Sequence, residues 1–161
     1  MTEQQILEYL KTVKDPEVPV IDVVELGVVR KVVCREERVE IDITPTYSGC
    51  PAMKVMEQDI VAALKERGID DVQIRTVLHP AWTTDWMSDE TRRKLKEYGI
   101  APPERVTGND LNPLNYAEKR VACPFCAAED TRLTSHFGST ACKALYYCDS
   151  CQQPFEHFKC I

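Results

Sequence analysis

The sequence contains no long apolar stretch and no recognisable export segment. No run of about 18 apolar residues, the minimum for a membrane-spanning helix, occurs anywhere in the 161 residues. The N-terminal segment MTEQQILEYLK has neither the basic n-region nor the apolar h-region of a secretory signal peptide. These absences argue against a membrane or exported protein, and we expect the chain to be cytoplasmic.

Concentrated positive charge and common catalytic motifs are also lacking. Residues 1–118 carry 15 basic and 22 acidic side chains, and residues 119–161 carry 5 and 4. Neither segment has the positive charge that a phosphate backbone requires, so nucleic acid is not an expected partner. The sequence has no G-x-G-x-x-G fingerprint for a dinucleotide. None of the three histidines follows a glutamate at a distance of three residues, which excludes the paired Glu-x-x-His motifs of a helical di-iron site.

Cysteine, by contrast, is abundant, and six of the eight cysteines lie in the last quarter of the chain. Two Cys-x-x-Cys pairs with 21 residues between them comprise Cys123, Cys126, Cys148 and Cys151. In a reducing compartment this pattern indicates a metal site rather than disulfides, because two tight turns can direct four thiolates at one tetrahedral zinc ion. Four protein ligands leave no open position, so we expect this zinc to be structural.

Two further cysteines of this region are surplus to a four-ligand site. They are Cys142, in the segment FGSTACK, and Cys160. The sequence leaves open whether Cys142 is a labile thiol, a neighbour of the ligands or a buried small side chain.

The preceding sequence predicts a small α+β sandwich domain in the order α-β-β-α-β over residues 1–100. Apolar residues recur at helical spacing and form a stripe on one face of each predicted helix. The stripes are Ile6, Leu7, Leu10 and Val13 in the first helix and Met53, Met56, Ile60 and Leu64 in the second. Two β-branched runs around the polar REER predict a hairpin, and the alternation in DDVQIRTVL, which includes Leu78, predicts a third strand. Ser88 is a candidate N-cap of a further short helix. Residues 101–118 are a predicted linker, and 119–161 form the predicted four-cysteine zinc ribbon.

Cys50 lies between a predicted strand and a predicted helix, in the segment TPTYSGCPAMKVM. With Pro51 as the first helical residue, Cys50 would be the N-cap, where backbone N–H groups favour a thiolate that can bind a soft metal or attack an electrophile. The polar residues expected near it are Asp15, Glu17, Thr46 and His79. The alternative is that Cys50 packs as a small apolar residue while Asp15 and Glu17 only cap turns.

Several motifs resemble the SufT and cytosolic iron-sulfur assembly adaptor family over about residues 3–80. They are Asp15-Pro16-Glu17, the segment ELGVV at 25–29, and Thr46 to Cys50-Pro51 before an amphipathic helix. The resemblance implies a functional pocket of Asp15, Glu17, Thr46 and Cys50, in which the cysteine is linked to the delivery of iron or iron-sulfur clusters. Tyr47 stands where the family sometimes has a second threonine, and Glu25 stands where aspartate is usual.

Essentially the whole chain resembles the PaaD family of phenylacetyl-CoA epoxidase systems. The motifs are ITPTYSGCPAM, HPAWTTDWMS, FGSTACKALYYC and QQPFEHFK. The resemblance implies a role in aerobic phenylacetate catabolism, in which the chain assembles or repairs a metal centre of the oxygenase system. Oxygenase or reductase subunits are the implied partners, and transient iron or an iron-sulfur cluster is the implied cargo. The sequence leaves open whether the chain forms a homodimer.

From these observations we expect a non-catalytic maturation factor. One alternative is a scaffold subunit of the oxygenase complex, and another is a thiol enzyme with Cys50 as nucleophile and His79 as base. Trp82 and Trp86 form either a partner-binding edge or simple packing onto the sheet.

Overall fold

The computed structural model describes residues 2–36, 38–105 and 120–160. By its internal contacts the chain forms two compact units, Met1–Trp82 and Thr83–Ile161. The predicted linker over 101–118 lies largely outside the described residues and stays a prediction. Within the described ranges, no helix is both long enough and apolar enough to span a membrane.

The first unit begins with helix α1, Glu3–Leu10. Thr2 caps this helix, because its hydroxyl accepts the Gln5 backbone N–H at 3.2 Å while the Gln5 side chain accepts the Thr2 N–H at 2.9 Å. The helix ends before Val13, which is nevertheless buried as the stripe predicts.

The sheet of the first unit has the order β1-β2-β3. Strands β1 (Val29–Cys34) and β2 (Val39–Ile43) form the predicted antiparallel hairpin, and β3 (Val72–Thr76) pairs parallel to β2. The parallel strands β2 and β3 end at the same edge of the sheet, and β1 begins at this edge, opposite the end of β2. We call this edge the carboxyl edge.

Helix α2, Ala52–Lys65, connects β2 to β3. Its predicted stripe is buried, with Ile60 and Leu64 fully inaccessible to solvent. Gly68 follows the helix at a φ of +78°, a left-handed conformation that glycine adopts without steric penalty. Strand β3 then ends at Thr76, so Leu78, which we predict to face inward, lies beyond the strand and is 59% exposed.

Trp82 packs into the first unit and does not form a partner-binding edge. It is 3% exposed, and its Nε1 donates a hydrogen bond to the Leu26 carbonyl oxygen at 2.8 Å. Trp86 belongs to the second unit and is half-buried.

We expect Trp82→Phe to lower the free energy of unfolding of the first unit by about 1–3 kcal/mol, because the buried Leu26 carbonyl loses its donor. Urea unfolding followed by far-UV circular dichroism measures the change. Trp86→Phe is the control, since the same substitution at a half-buried position removes less buried area. Equal losses for the two variants would contradict the assignment of Trp82 to the core.

The second unit starts with a 3₁₀ turn, Thr84–Trp86, and helix α3, Asp89–Tyr98. Ser88 caps α3 as predicted, with its hydroxyl 3.1 Å from the Thr91 backbone nitrogen. Gly99 ends the helix at a φ of +96°. The chain continues directly into strand β4. The first compact unit ends at Trp82, and the domain boundary at residue 100 stays a prediction of the sequence.

Four strands form the sheet of the second unit in the order β4-β7-β6-β5. They are β4 (Ile100–Ala101), β5 (Thr131–Ser135), β6 (Lys143–Cys148) and β7 (Gln153–Phe158). The buried core of this sheet consists of Ala101, Val121, Cys123, Ala144, Tyr146, Cys148 and Phe155. Two of these seven residues are predicted metal ligands, so the core and the metal site of this unit are continuous.

Candidate functional site

The four cysteines predicted to bind zinc lie together in the second unit. Their Sγ atoms are all within 4.8 Å of one another. Cys148 ends strand β6, and Cys151 follows in the turn that leads into β7. The structure therefore gathers the whole predicted ligand set, Cys123, Cys126, Cys148 and Cys151.

The distances between these sulfurs fit a tetrahedral zinc ion. The Sγ atoms of Cys123 and Cys151 are 3.7 Å apart, and those of Cys126 and Cys148 are 3.6 Å apart. With Zn–S bonds of about 2.3 Å, tetrahedral geometry places neighbouring sulfurs about 3.8 Å apart. A disulfide would require about 2.0 Å. The arrangement is that of a closed metal site and not of two disulfides.

The two Cys-x-x-Cys turns have matching backbone geometry. Ala127 and Gln152, each directly after the second cysteine of a pair, have φ values of 61° and 59°. A non-glycine residue in this left-handed region costs roughly 1–2 kcal/mol. In the first turn the Ala127 N–H donates to the Cys123 carbonyl, and the Cys123 N–H donates to the Ala128 carbonyl, each at 2.9 Å. These hydrogen bonds hold the strained residue in place.

Backbone amides of the second turn stabilise a thiolate before any metal binds. The Cys151 N–H lies 3.5 Å from the Cys148 Sγ and is the main reason that the pKa of Cys148 falls to about 7. Burial, together with hydrogen bonds that the Cys151 thiol donates to neighbouring sulfurs, raises the pKa of Cys151 to about 12. The metal-free cluster therefore keeps protons at neutral pH, and zinc binding releases them.

Cys142 and Cys160 lie outside the cluster. Cys142 is buried, and its Sγ is 3.0 Å from the Thr140 hydroxyl. The Cys160 thiol donates to the Glu104 carbonyl at 3.4 Å. Of the options that the sequence leaves open for Cys142, the structure favours a buried small side chain.

The sequence analysis missed an ion pair between a buried lysine and a half-buried glutamate in the same unit. Lys143, whose side chain is 3% exposed, has its Nζ 2.9 Å from Glu156 Oε2. The second carboxylate oxygen accepts the Ser139 N–H at 2.6 Å, and a Cβ at Gly138 would lie 2.6 Å from that oxygen. Burial tends to raise the pKa of Glu156, but the Ser139 amide and Lys143 together leave it below its usual value. The Ser139 N–H and the Lys143 ammonium, both in the segment FGSTACK, thus bind the Glu156 carboxylate.

The second candidate site lies at the carboxyl edge of the first unit. The loop after β2 carries Thr46 and Cys50, and the segment after β3 carries His79. Backbone hydrogen bonds join the loop after β2 to the chain that enters β1, from the Thr44 N–H to the Val28 carbonyl at 2.9 Å, and the segment after β3 to the end of β2, from the Val77 N–H to the Ile43 carbonyl at 2.8 Å. The structure brings the predicted loops to one edge, while a joint role of their side chains stays a prediction.

Cys50 is one residue farther from helix α2 than we predict. Helix α2 begins at Ala52, so Pro51 takes the N-cap position, although its ring-constrained φ of −68° already lies in the helical region. The Cys50 carbonyl accepts the Met53 N–H at 3.3 Å, and the Cys50 N–H donates to the Tyr47 carbonyl at 3.3 Å. These two tight turns place a half-buried thiol directly before the helix.

The other predicted site residues differ in exposure and in role. Asp15 is buried, and its Oδ1 accepts the backbone N–H groups of Glu17 and Val18, each at 2.8 Å. Turn capping is therefore one role that Asp15 does perform. Glu17 is half-buried, Thr46 is buried and His79 is exposed.

Asp22 is a second structural carboxylate near this edge, and the sequence analysis did not identify it. Its Oδ1 accepts the N–H groups of Val24 and Glu25, while Glu25 Oε2 accepts the Asp22 N–H. Burial is the main cause that raises the pKa of Asp22. The available signal was the spacing Asp22-x-x-Glu25, which is that of a capping box.

Two protein-family models match the chain. The model described as "Iron-sulfur cluster assembly protein" matches residues 3–76. The model described as "PaaD zinc beta ribbon domain" matches residues 109–159. The two matches coincide with the two regions that contain the candidate sites.

Individual proteins resemble the chain over its whole length or about half of it. It is 47% identical to the putative D subunit of the 1,2-phenylacetyl-CoA epoxidase of Escherichia coli (strain K12), over 98% of this chain and 92% of that protein. It is 40% identical to "Fe-S protein maturation auxiliary factor SufT" of Staphylococcus aureus (strain USA300), over 46% of this chain and 85% of that protein. The crystal structure of "Domain of Unknown Function DUF59 from Bacillus anthracis" matches with a TM-score of 0.54 and 28% identity, over 58% of this chain and 90% of that one.

Proposed function

The chain belongs to the PaaD family of phenylacetyl-CoA epoxidase systems. From this premise we propose that it is an accessory factor, which assists the assembly or repair of an iron or iron-sulfur centre in the epoxidase system. Relatives of its first unit are named as Fe-S protein maturation auxiliary factors, which supports a maturation role over a catalytic one. The proposed client is an oxygenase or reductase subunit of the same system.

The observation that carries the proposal is the position of Cys50 at the carboxyl edge. A thiolate is the ligand that iron-sulfur clusters require. Cys50 lies on a loop and is half-buried, so an incoming metal species has access to it and can leave again. We assign Cys50 as the transient ligand, with Thr46, Glu17 and His79 shaping the edge around it and Asp15 fixing the adjacent turn through its backbone hydrogen bonds.

Exposed apolar side chains support docking of a client protein. In the first unit Leu78 is 59% exposed and follows β3 at the carboxyl edge. In the second unit Phe125 and Phe137 are 52% and 66% exposed. Aromatic side chains are enriched in protein interfaces, whereas the nearly balanced charge of 119–161 gives no support for nucleic acid. We therefore assign the zinc ribbon to client binding, with its zinc in a structural role.

The proposal is tested by measuring zinc, iron and acid-labile sulfide in anaerobically purified protein. We expect about one zinc per chain in the wild type and in Cys50→Ser, with iron in the wild type only. Cys34→Ser is the matched control, since Cys34 is also half-buried but ends β1 at the opposite edge of the same sheet. Iron bound equally by all three proteins would rule out Cys50 as the ligand.

Oxygenase activity in the reconstituted epoxidase system separates metal delivery from scaffolding. On the proposed function, Cys50→Ser reduces the yield of active oxygenase while Cys34→Ser does not. Full activity with Cys50→Ser, together with lost activity on disruption of the ribbon, would identify a scaffold role instead.

A further inference from the structure

The four cysteine residues of the metal centre differ sharply in their exposure to solvent. Cys123 and Cys148, the first cysteine of each pair, are completely buried. Cys151 is half-buried, and Cys126 is exposed. The cluster therefore opens to solvent at Cys126, although all four Sγ atoms lie within 4.8 Å of one another.

The surrounding structure explains this asymmetry. Cys148 is the last residue of β6, a strand with neighbours on both sides, and it shares its core with Tyr146 and Phe155. Cys123 belongs to the same core and is fixed by backbone hydrogen bonds to the two residues that follow the first pair. Cys126, in contrast, follows the 52% exposed Phe125 at the surface of the first turn.

A zinc-bound thiolate is held deprotonated at neutral pH, and the thiolate is the nucleophilic form of cysteine. Reaction then depends on which sulfur a reagent can reach. We propose that Cys126 is the reactive ligand of the ribbon, a modification site for soft carbon electrophiles whose alkylation releases the zinc ion. This inference concerns the second unit alone and does not depend on the proposed role of Cys50.

The reaction with N-ethylmaleimide shows how release follows. A lone pair of the Cys126 Sγ forms the carbon–sulfur bond, and the displaced π electrons of the maleimide double bond take a proton from water, so no group leaves. The product is a neutral thioether in place of a thiolate. Three thiolates remain, and the loss of one anionic ligand weakens the hold on the cation, which a chelator in solution can then bind.

The test uses the zinc-loaded wild-type chain with limiting N-ethylmaleimide. Tandem mass spectrometry locates the label at each cysteine over time, and a chromophoric chelator reports zinc release in the same samples. We expect Cys126 to be labelled roughly tenfold faster than Cys123 or Cys148, a barrier difference of about 1.4 kcal/mol. Zinc release should follow the labelling of Cys126 and depend on the maleimide concentration.

Three results would overturn the proposal. One is faster labelling of Cys151, Cys123 or Cys148 than of Cys126. Another is simultaneous labelling of all four ligands at a rate independent of maleimide concentration, which would mean that zinc leaves before any sulfur reacts. The third is a labelled Cys126 with zinc still bound. The internal references are two half-buried thiols outside the cluster, Cys34 and Cys160.

Discussion

Replacing Cys148 with serine should abolish zinc binding and unfold the ribbon formed by residues 120–160. Cys148 is both a predicted ligand and a member of the buried core of this unit. Structural zinc contributes about 10–16 kcal/mol to the folding of small metal-bound domains. The small buried cluster that contains Cys148 cannot replace that energy. The loss should be confined to the second unit, since the four clustered cysteines all belong to it.

Zinc content and two-dimensional NMR spectra of the variant test this prediction. We expect dispersed resonances for the first unit and collapsed resonances for the ribbon, and the same result for the wild type after prolonged treatment with a strong chelator. Cys142→Ser is the matched control, because Cys142 is a buried cysteine of the same ribbon that lies outside the cluster. Loss of zinc in Cys142→Ser with retention in Cys148→Ser or Cys123→Ser would overturn the ligand assignment.

Local sequence patterns predict the parts of the fold that depend on local physics. The stripe of α2 has the helical period, and its members are buried as a result. The REER hairpin needs only two adjacent β-branched runs and a polar turn. Likewise, the spacing within each Cys-x-x-Cys pair sets the turn that aims both sulfurs at one point, which is why the clustering of all four cysteines could be predicted.

Features that depend on distant partners could not be predicted in this way. The alternation in β3 continues to Leu78, but the strand ends at Thr76 because its partner β2 ends opposite, at Ile43. Strand β4 has only two residues and exists because it pairs with β7 much later in the chain. No local pattern specifies either outcome.

The Cys50 site could be predicted only in part from local sequence patterns. The loops that carry Cys50 and His79 could be placed at one edge, because a helix between two strands of one sheet implies parallel strands. The sequence leaves open whether Asp15 caps a turn or belongs to a pocket, and only the structure shows that its Oδ1 accepts two backbone N–H groups of its own turn. The sequence thus predicts which segments meet, and the structure decides which polar groups are already satisfied.

The ion pair of the buried Lys143 with the half-buried Glu156 leads to the second large expected effect. We expect Glu156→Ala to lower the free energy of unfolding of the second unit by about 3–5 kcal/mol, because it leaves the Lys143 ammonium buried without its counter-ion. The Ser139 N–H also loses its acceptor. Urea unfolding of the zinc-loaded protein at neutral pH measures the change.

Glu97→Ala is the matched control for this measurement. Glu97 also pairs with a basic residue of the second unit, but its partner Arg93 lies one helical turn away and both side chains are more than 60% exposed. Deleting an exposed partner of this kind costs about 0.3–0.5 kcal/mol. Equal effects of Glu97→Ala and Glu156→Ala would show that burial of Lys143 does not matter to stability.

The pH dependence distinguishes this pair from the zinc ligands. The pKa of Glu156 is lowered in the folded state, so its contribution is present above the unfolded carboxyl pKa of about 4.3 and disappears as the pH falls through the lower folded value. The difference between wild type and Glu156→Ala should therefore stay constant from neutral pH down to about pH 5. Because both proteins carry the same cysteine ligands, protonation of those ligands cancels in this difference, and a difference that already shrinks above that pH would contradict the lowered pKa of Glu156.

Removing both charges separates the penalty of an unpaired lysine from the strength of the pair itself. A double variant, Lys143→Met with Glu156→Gln, leaves no buried cation and keeps a carbonyl oxygen as acceptor for the Ser139 N–H. We expect it to recover most of the stability that Glu156→Ala loses, because replacing a buried ion pair by uncharged groups is often neutral. If the double variant is as unstable as Glu156→Ala, the attraction between Lys143 and Glu156 itself stabilises the second unit, in addition to removing the penalty of an unpaired lysine.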